Sequence, residues 1–168
     1  MPSKNQIKKQ KTGFTIIEVV LVLAIAGLIF LMVFVALPAL QRSQRDTQRR
    51  DDMARFSSQL SQYQANNNGA VPTATKAGYD DFIANYLRAA SDSFVDPSGV
   101  NYNAASVTVC NNATDCTQKS VANDYTTGNI RIYTNATCNG ESPSYSAGER
   151  KIAFTYKLEG AGTYCGHN

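Results

Sequence analysis

The stretch that decides the fold is KTGFTIIEVVLVLAIAGLIFLMVFVALPAL, residues 11–40. It starts with a basic residue, passes a Gly-Phe junction and one acidic residue, Glu18, and continues as an unbroken apolar run from Val19 to Leu37. A helix of these 19 residues nearly matches the ~30 Å hydrocarbon core of a bilayer, since each residue adds roughly 1.5 Å. The sequence therefore predicts a helix that enters a membrane.

Two ordinary membrane signals explain this run only in part. A cleaved secretory signal has a basic start, an apolar region of about 7 to 15 residues and a small-residue cleavage site. Ala24-Ile25-Ala26 matches such a site, but eleven more apolar residues follow it. An uncleaved signal anchor tolerates the length but leaves Glu18 unexplained, because a carboxylate near the hydrocarbon edge is costly and usually has a partner.

A third interpretation explains all of these features together. Residues 11–18, KTGFTIIE, resemble the cleavage signature of type IV prepilins, a basic leader ending in Gly, then Phe, then Glu four residues later, then an apolar helix. The resemblance implies that a prepilin peptidase removes residues 1–13 as a leader by cutting between Gly13 and Phe14, and methylates the new amine of Phe14. Gly13 suits such a cut, because a residue without Cβ lets the backbone lie extended in a protease cleft. The resemblance also implies that Glu18 pairs with the N-terminal amine of a neighbouring subunit during assembly.

The same resemblance implies a location and a set of partners. The chain would first be a single-pass precursor in the cytoplasmic membrane, with its N-terminus in the cytoplasm, and then part of an extracellular filament. Its partners would be membrane lipid, the prepilin peptidase, the pilus assembly platform and motor, and copies of itself. We interpret the chain as a structural subunit of a type IV pilus, which supports adhesion, twitching motility or DNA uptake. Two alternatives stay open: a pseudopilin or minor pilin of a type II secretion or competence system, and a membrane-anchored extracellular binding module that does not polymerise.

The charge of the chain gives no support for nucleic-acid binding. The formal net charge is +3, but residues 1–13 contribute four lysines and no acid. Without them the chain has 12 basic and 13 acidic residues, formally −1. No specific nucleic-acid binding is predicted. Basic residues flank the apolar run on both sides, so the positive-inside rule alone does not set the topology.

The N-terminal helix is expected to run from Phe14 to Asn68, with residues 14–40 as its transmembrane and assembly segment. Gly27 and Pro38 interrupt the pattern, and Pro38 predicts a kink because it lacks an N–H and crowds the preceding turn. Residues 41–52 contain no apolar side chain, and charges spaced i, i+4 are typical of a solvated helix face. Contacts of these charges with neighbouring subunits are the alternative.

The second half of this helix carries an apolar stripe, and the remaining chain predicts a sheet to cover it. Met53, Phe56, Leu60 and Tyr63 recur at helical spacing. Residues 69–168 are expected to form an extracellular head with a short helix over 80–90, and β-forming stretches at 106–110, 129–134 and 151–158. The predicted fold class is α+β, with the helix packed on a small antiparallel sheet.

The cysteines indicate an oxidising exterior. All four, Cys110, Cys116, Cys138 and Cys165, lie in the C-terminal part without the spacing of a zinc site. Four cysteines permit three pairings, which sequence alone leaves open. We favour Cys110 with Cys116, closing a short loop, and Cys138 with Cys165, which resembles the disulfide-bounded C-terminal region of pilins.

No catalytic or metal-binding constellation is recognisable in the sequence. Acidic residues between 80 and 96 lack EF-hand spacing. His167 is the one histidine, and the chain has no nucleophile elbow or phosphate-binding glycine loop. The sequence therefore predicts a protein that is not an enzyme and that has no cofactor and no metal.

Overall fold

A long first helix, α1, spans Ile16–Asn66 and ends within two residues of the position predicted from sequence. The computed structural model describes residues 13–88, 93–120, 126–146, 148–160 and 162–168, without the side chains of 117–120. Residues 1–12 of the predicted leader, and residues 89 and 90 of the predicted short helix, lie outside the described residues. Asn68 and Gly69 take left-handed backbone angles after α1, and the Gly69 N–H donates to the Gln64 carbonyl at 2.7 Å. This is the helix ending that the Asn-Gly pair predicts.

The chain forms two compact units that meet within α1, between Leu40 and Gln41. In the first unit the apolar side chains of α1 are exposed, including Ile16 at 86%. In the second unit the same helix buries Met53, Phe56 and Leu60 completely. The apolar stripe predicted from sequence is thus part of the head's core.

Two short helical elements follow α1. The helix α2 spans Lys76–Phe82, and Thr75 caps its N-terminus by accepting a hydrogen bond from the Gly78 N–H. A π-helical turn, Ile83–Leu87, continues it. A further helix, α3, spans Ala113–Ser120 and was not predicted from sequence.

The strands of the head form one sheet and one separate hairpin within the described residues. They are β1 (Asn103–Val109), β2 (Asn129–Thr134), β3 (Ala136–Asn139), β4 (Ser142–Tyr145), β5 (Ile152–Lys157) and β6 (Thr163–His167). The sheet has the order β1-β2-β5-β6, and β3 pairs with β4. The α+β fold class is confirmed.

The pairing of β1 differs from the purely antiparallel sheet that was predicted. β2 pairs with β5, and β5 with β6, in antiparallel fashion, but β1 and β2 are parallel. Parallel neighbours need a crossover connection of a dozen residues or more. Residues 110–128, which include α3, supply that length.

The two faces of the sheet pack against different partners. Ile132 and Phe154 face α1, and the Phe56 and Phe154 rings are 4.7 Å apart between centroids. Tyr133 and Ala153 alternate with them and therefore point to the other face, where they contact a second buried cluster. That cluster contains Cys110 and Cys116 and packs against the remaining two cysteines.

Candidate functional site

The predicted cleavage junction lies just before α1. Gly13 and Phe14 are exposed and not helical, and the helix begins with N–H groups of Glu18 and Val19 donating to the Thr15 carbonyl at 3.2 and 3.3 Å. A Cβ built on Gly13 meets no atom within 4 Å. Within the described residues, the fold therefore leaves room for a side chain at position 13 and does not require glycine there.

Glu18 occupies the first turn of α1, where a negative charge interacts favourably with the helix dipole. Phe14 lies four residues earlier and lines the same groove of about 330 Å³ as Glu18, together with Val22. Among the described residues, no side chain pairs with Glu18. The groove thus combines an accessible carboxylate with apolar walls.

Gly27 and Pro38, the two positions of the predicted kink, both lie inside α1. The helix is assigned without interruption through both residues. A Cβ on Gly27 meets nothing within 4 Å. A kink at these residues stays a prediction.

A buried ion pair, which sequence reasoning missed, holds the second half of α1 in the head. Arg49 is 3% exposed and Asp96 is 2% exposed. The Arg49 guanidinium donates to both carboxylate oxygens of Asp96, at 2.7 and 3.0 Å. Such a bidentate pair fixes geometry as well as energy. The expectation that residues 41–52 are a solvated face is therefore wrong at Arg49.

Further donors complete the surroundings of Asp96. The Ser98 N–H donates to it at 2.8 Å and the Tyr156 hydroxyl at 2.7 Å, while Tyr156 accepts from the Gly128 N–H at 2.9 Å. Burial alone would raise the pKa of Asp96, but the hydrogen bonds from Arg49, Ser98 and Tyr156 outweigh it and hold that pKa well below its usual range. The network joins α1, the turn at 96–99, β5 and the residue before β2.

A second carboxylate, that of Asp46 in α1, anchors the turn after β5. Asp46 accepts the N–H groups of Glu159 and Gly160 at 2.8 and 2.7 Å, and Arg49 also donates to it at 2.9 Å. Burial opposes these bonds, yet together they lower the pKa of Asp46. Arg45 pairs with Glu159 at the surface, at 2.7 Å. At Asp46, contacts with Arg49 and across the fold thus take the place of i, i+4 pairs.

One sequence signal for this network existed. Arg49 precedes Met53 by four residues and so continues the stripe of Met53, Phe56 and Leu60 toward the N-terminus. A residue on that line faces the core whatever its charge. Its partner Asp96 is 47 residues away, and local spacing cannot indicate it.

Both disulfides of the head join the cysteine pairs favoured above. Cys110 is bonded to Cys116, and Cys138 to Cys165. The first pair is fully buried and lies in the cluster behind the sheet. His167 is exposed, and its carbonyl accepts a hydrogen bond from Ser57 of α1 at 2.9 Å.

The charged groups near the sheet attach elements of the fold to one another. Among the described residues no group of three or more His, Cys, Asp or Glu side chains is placed to hold a metal ion. Asp80 instead accepts hydrogen bonds from Lys76 and the Ala104 N–H. The charged side chains near the sheet bind one another and the backbone.

Comparison with known proteins gives one match. Residues 8–34 match the family model of the prokaryotic N-terminal methylation motif. With the long apolar helix that follows, the motif is that of type IV pilin-like and pseudopilin proteins, a family of structural subunits. It implies processing by a prepilin peptidase and assembly into a pilus-like system.

The same motif supports a membrane-anchored precursor. Among the described residues, α1 contains a segment long and apolar enough to cross a membrane, and the structure buries none of it. No curated protein and no solved structure matches the chain. The match to known proteins is therefore confined to residues 8–34.

Proposed function

We propose that the chain is a filament-forming structural subunit of an extracellular type IV pilus. The observation that carries the proposal is the methylation motif at residues 8–34, continued by an apolar helix whose side chains no described residue covers. A contiguous apolar surface of this size is stable only in lipid or against another protein surface. In the precursor this surface is covered by lipid, and in the filament it is covered by copies of the same helix.

Processing is the first step of this function. Residues 1–13 are the leader, the peptidase cuts between Gly13 and Phe14, and the new amine of Phe14 is methylated. The exposure of both residues supports this step, since a protease must bind an accessible segment. Because a Cβ at Gly13 would meet no described atom, a requirement for glycine there would come from the peptidase and not from the fold.

Assembly is the second step, and Glu18 directs it. Its carboxylate lies beside Phe14 in an apolar groove and has no partner among the described residues. A neighbouring amine at about 4 Å would attract it by about 4 kcal/mol at an effective dielectric near 20. Desolvation of both charges cancels much of this gain, so the pair sets the position of the incoming subunit more than it adds stability.

The head, residues 69–168, then forms the outer surface of the filament. Its two disulfides and the buried Arg49–Asp96 pair support a role outside the cell, where the domain must stay folded without chaperones. The second half of α1 belongs to the head's core.

The test is the N-terminus of the protein recovered from its own host cells. Mass spectrometry of sheared surface filaments should find the chain, beginning with N-methylated Phe14. A matched Gly13→Ala variant should accumulate in the membrane with its leader attached. A chain that starts at Met1 would instead identify a membrane-anchored binding module. A processed chain that is absent from sheared filaments would identify a pseudopilin or minor pilin.

A further inference from the structure

A small cavity in the head lies between the end of α1 and the segment Lys76–Leu87. Its volume is about 200 Å³, and Tyr63, Asp81, Phe82, Asn85 and Tyr86 are among its lining residues. Sites for drug-sized ligands usually occupy ~300–1,000 Å³. This cavity therefore has room for a compact chemical group and not for an extended ligand.

Three aromatic rings line the cavity, and the Tyr63 ring stands at a steep angle to the other two. The Tyr63 ring stands at 90° to Phe82 and at 66° to Tyr86, with centroids 5.6 and 5.2 Å apart. Phe82 and Tyr86 are stacked at 5.4 Å. Phe82 is buried, whereas Tyr63 and Tyr86 are partly exposed, so the two tyrosines supply the accessible ring surface. The rings make a corner and not a flat platform.

The charge of the lining has one sign. Asp81 is exposed at the cavity, and no lysine or arginine is among the lining residues of the described chain. The nearest basic residue along the chain, Lys76, is paired with Asp80 at 2.8 Å. Aromatic faces carry the negative end of the ring quadrupole, so the rings and the carboxylate both attract a positively charged ligand. The cavity is complementary to a cation.

We propose that this cavity binds a methylated ammonium group, such as the trimethylammonium of choline or phosphocholine. Methylation makes the cation large, weakly hydrated and apolar at its surface, which suits ring walls that offer few hydrogen bonds. A bare ammonium ion would lose more hydration on entry. A sugar usually stacks on a flat exposed ring, whereas here the Tyr63 ring crosses the other two and makes a corner. This site is independent of the filament function proposed above.

The experiment is a binding titration on the full chain in a polyoxyethylene detergent, which has neither a choline nor a sugar head group. Choline is compared with 3,3-dimethyl-1-butanol, which has the same shape without the charge. Choline should bind about 10-fold more tightly, the equivalent of ~1.4 kcal/mol, as expected for a cation held by ring faces and a carboxylate. Phosphocholine, the soluble form of a lipid head group, is titrated in parallel. Tighter binding of phosphocholine than of choline would indicate the lipid head group as the preferred source, and the reverse would indicate free choline.

Two variants and two matched controls locate the site. Asp81→Asn and Tyr86→Leu should each weaken choline binding about 5-fold or more, whereas Asp51→Asn on α1 and Tyr145→Leu on β4 should leave it unchanged. Near-ultraviolet circular dichroism checks that each variant is folded, and Asp81→Asn, at an exposed side chain, keeps the test valid if Tyr86→Leu unfolds. Equal binding of the neutral analogue, preferential binding of a hexose, or no saturable choline binding at a Kd of about 1 mM or tighter would each overturn the proposal.

Discussion

The buried pair of Arg49 and Asp96 leads to the most specific prediction about stability. Asp96→Asn keeps the shape of the side chain but removes the charge that faces Arg49. It also keeps only one acceptor oxygen, whereas Ser98 and Tyr156 donate to different oxygens of Asp96. Taking one partner from a buried pair typically costs about 3–5 kcal/mol, because the other charge stays desolvated. Asp46 remains 2.9 Å from the Arg49 guanidinium, so we expect the lower end, about 3 kcal/mol.

The assay is urea unfolding of the full chain in detergent at pH 7, followed by tyrosine fluorescence. The sequence has nine tyrosines and no tryptophan, and Tyr102 and Tyr156 are buried next to the network. Arg49→Met should destabilise by a similar amount. The double variant should lose about 2 kcal/mol less than the sum of the two single losses, because neither charge is then left without its partner.

Arg45→Met provides the matched control for this experiment. Arg45 pairs with Glu159 at 2.7 Å, but the two side chains are 34% and 38% exposed. An exposed pair contributes about 0–1 kcal/mol. If Asp96→Asn cost no more than Arg45→Met, the buried pair would not be what holds α1 in the head, and the reasoning would be refuted.

Three further predictions follow from other parts of the chain. Glu18→Val should leave leader removal and membrane insertion intact and abolish surface filaments, measured by N-terminal mass spectrometry and filament shearing; a normal filament yield would exclude the proposed role of Glu18. Replacing Cys138 and Cys165 by Ser should cost about 3–4 kcal/mol in the free energy of unfolding, against about 2 for the shorter Cys110–Cys116 loop, because the separations are 27 and 6 residues; equal urea midpoints for the two variants would contradict the loop argument. Stability should fall in acid: the pKa of Asp96 lies below its unfolded value of about 3.9, so its contribution is complete above that pH and is lost as the pH falls toward the folded pKa. The difference in urea midpoint between wild type and the Arg49→Met/Asp96→Asn double variant should thus be smaller below pH 4 than at neutral pH. A difference that does not change with pH would refute this.

The sequence predicted the elements whose periodicity is local. The stripe from Met53 to Leu60 is buried, and the alternation in residues 151–158 corresponds to β5. The strand over 129–134 was also predicted with its observed bounds. In each case the side chains repeat with the period of the element, so a short window contains the information.

The missed elements lack such a repeat. β3 and β4 are four residues each and contain Ser, Thr, Asn and Pro, and β6 contains Gly166. Gly166 lies against Phe154, where an added Cβ would be 2.4 Å from the ring. Such a strand forms because tertiary contacts select it, not because its residues favour it. The parallel pairing of β1 and the Arg49–Asp96 pair likewise depend on residues far apart in sequence.

The bidentate pair of Arg49 and Asp96 also fixes the axial position of the second half of α1 in the head. Apolar contacts have little directionality. Packing of Met53, Phe56 and Leu60 alone would therefore tolerate a shift of the helix along its axis. A guanidinium bonded to both oxygens of a carboxylate matches at one height only, and a slip of a single turn, ~5.4 Å, would leave both charges stranded in the interior. The pair therefore opposes axial slippage of the second half of α1 against the sheet.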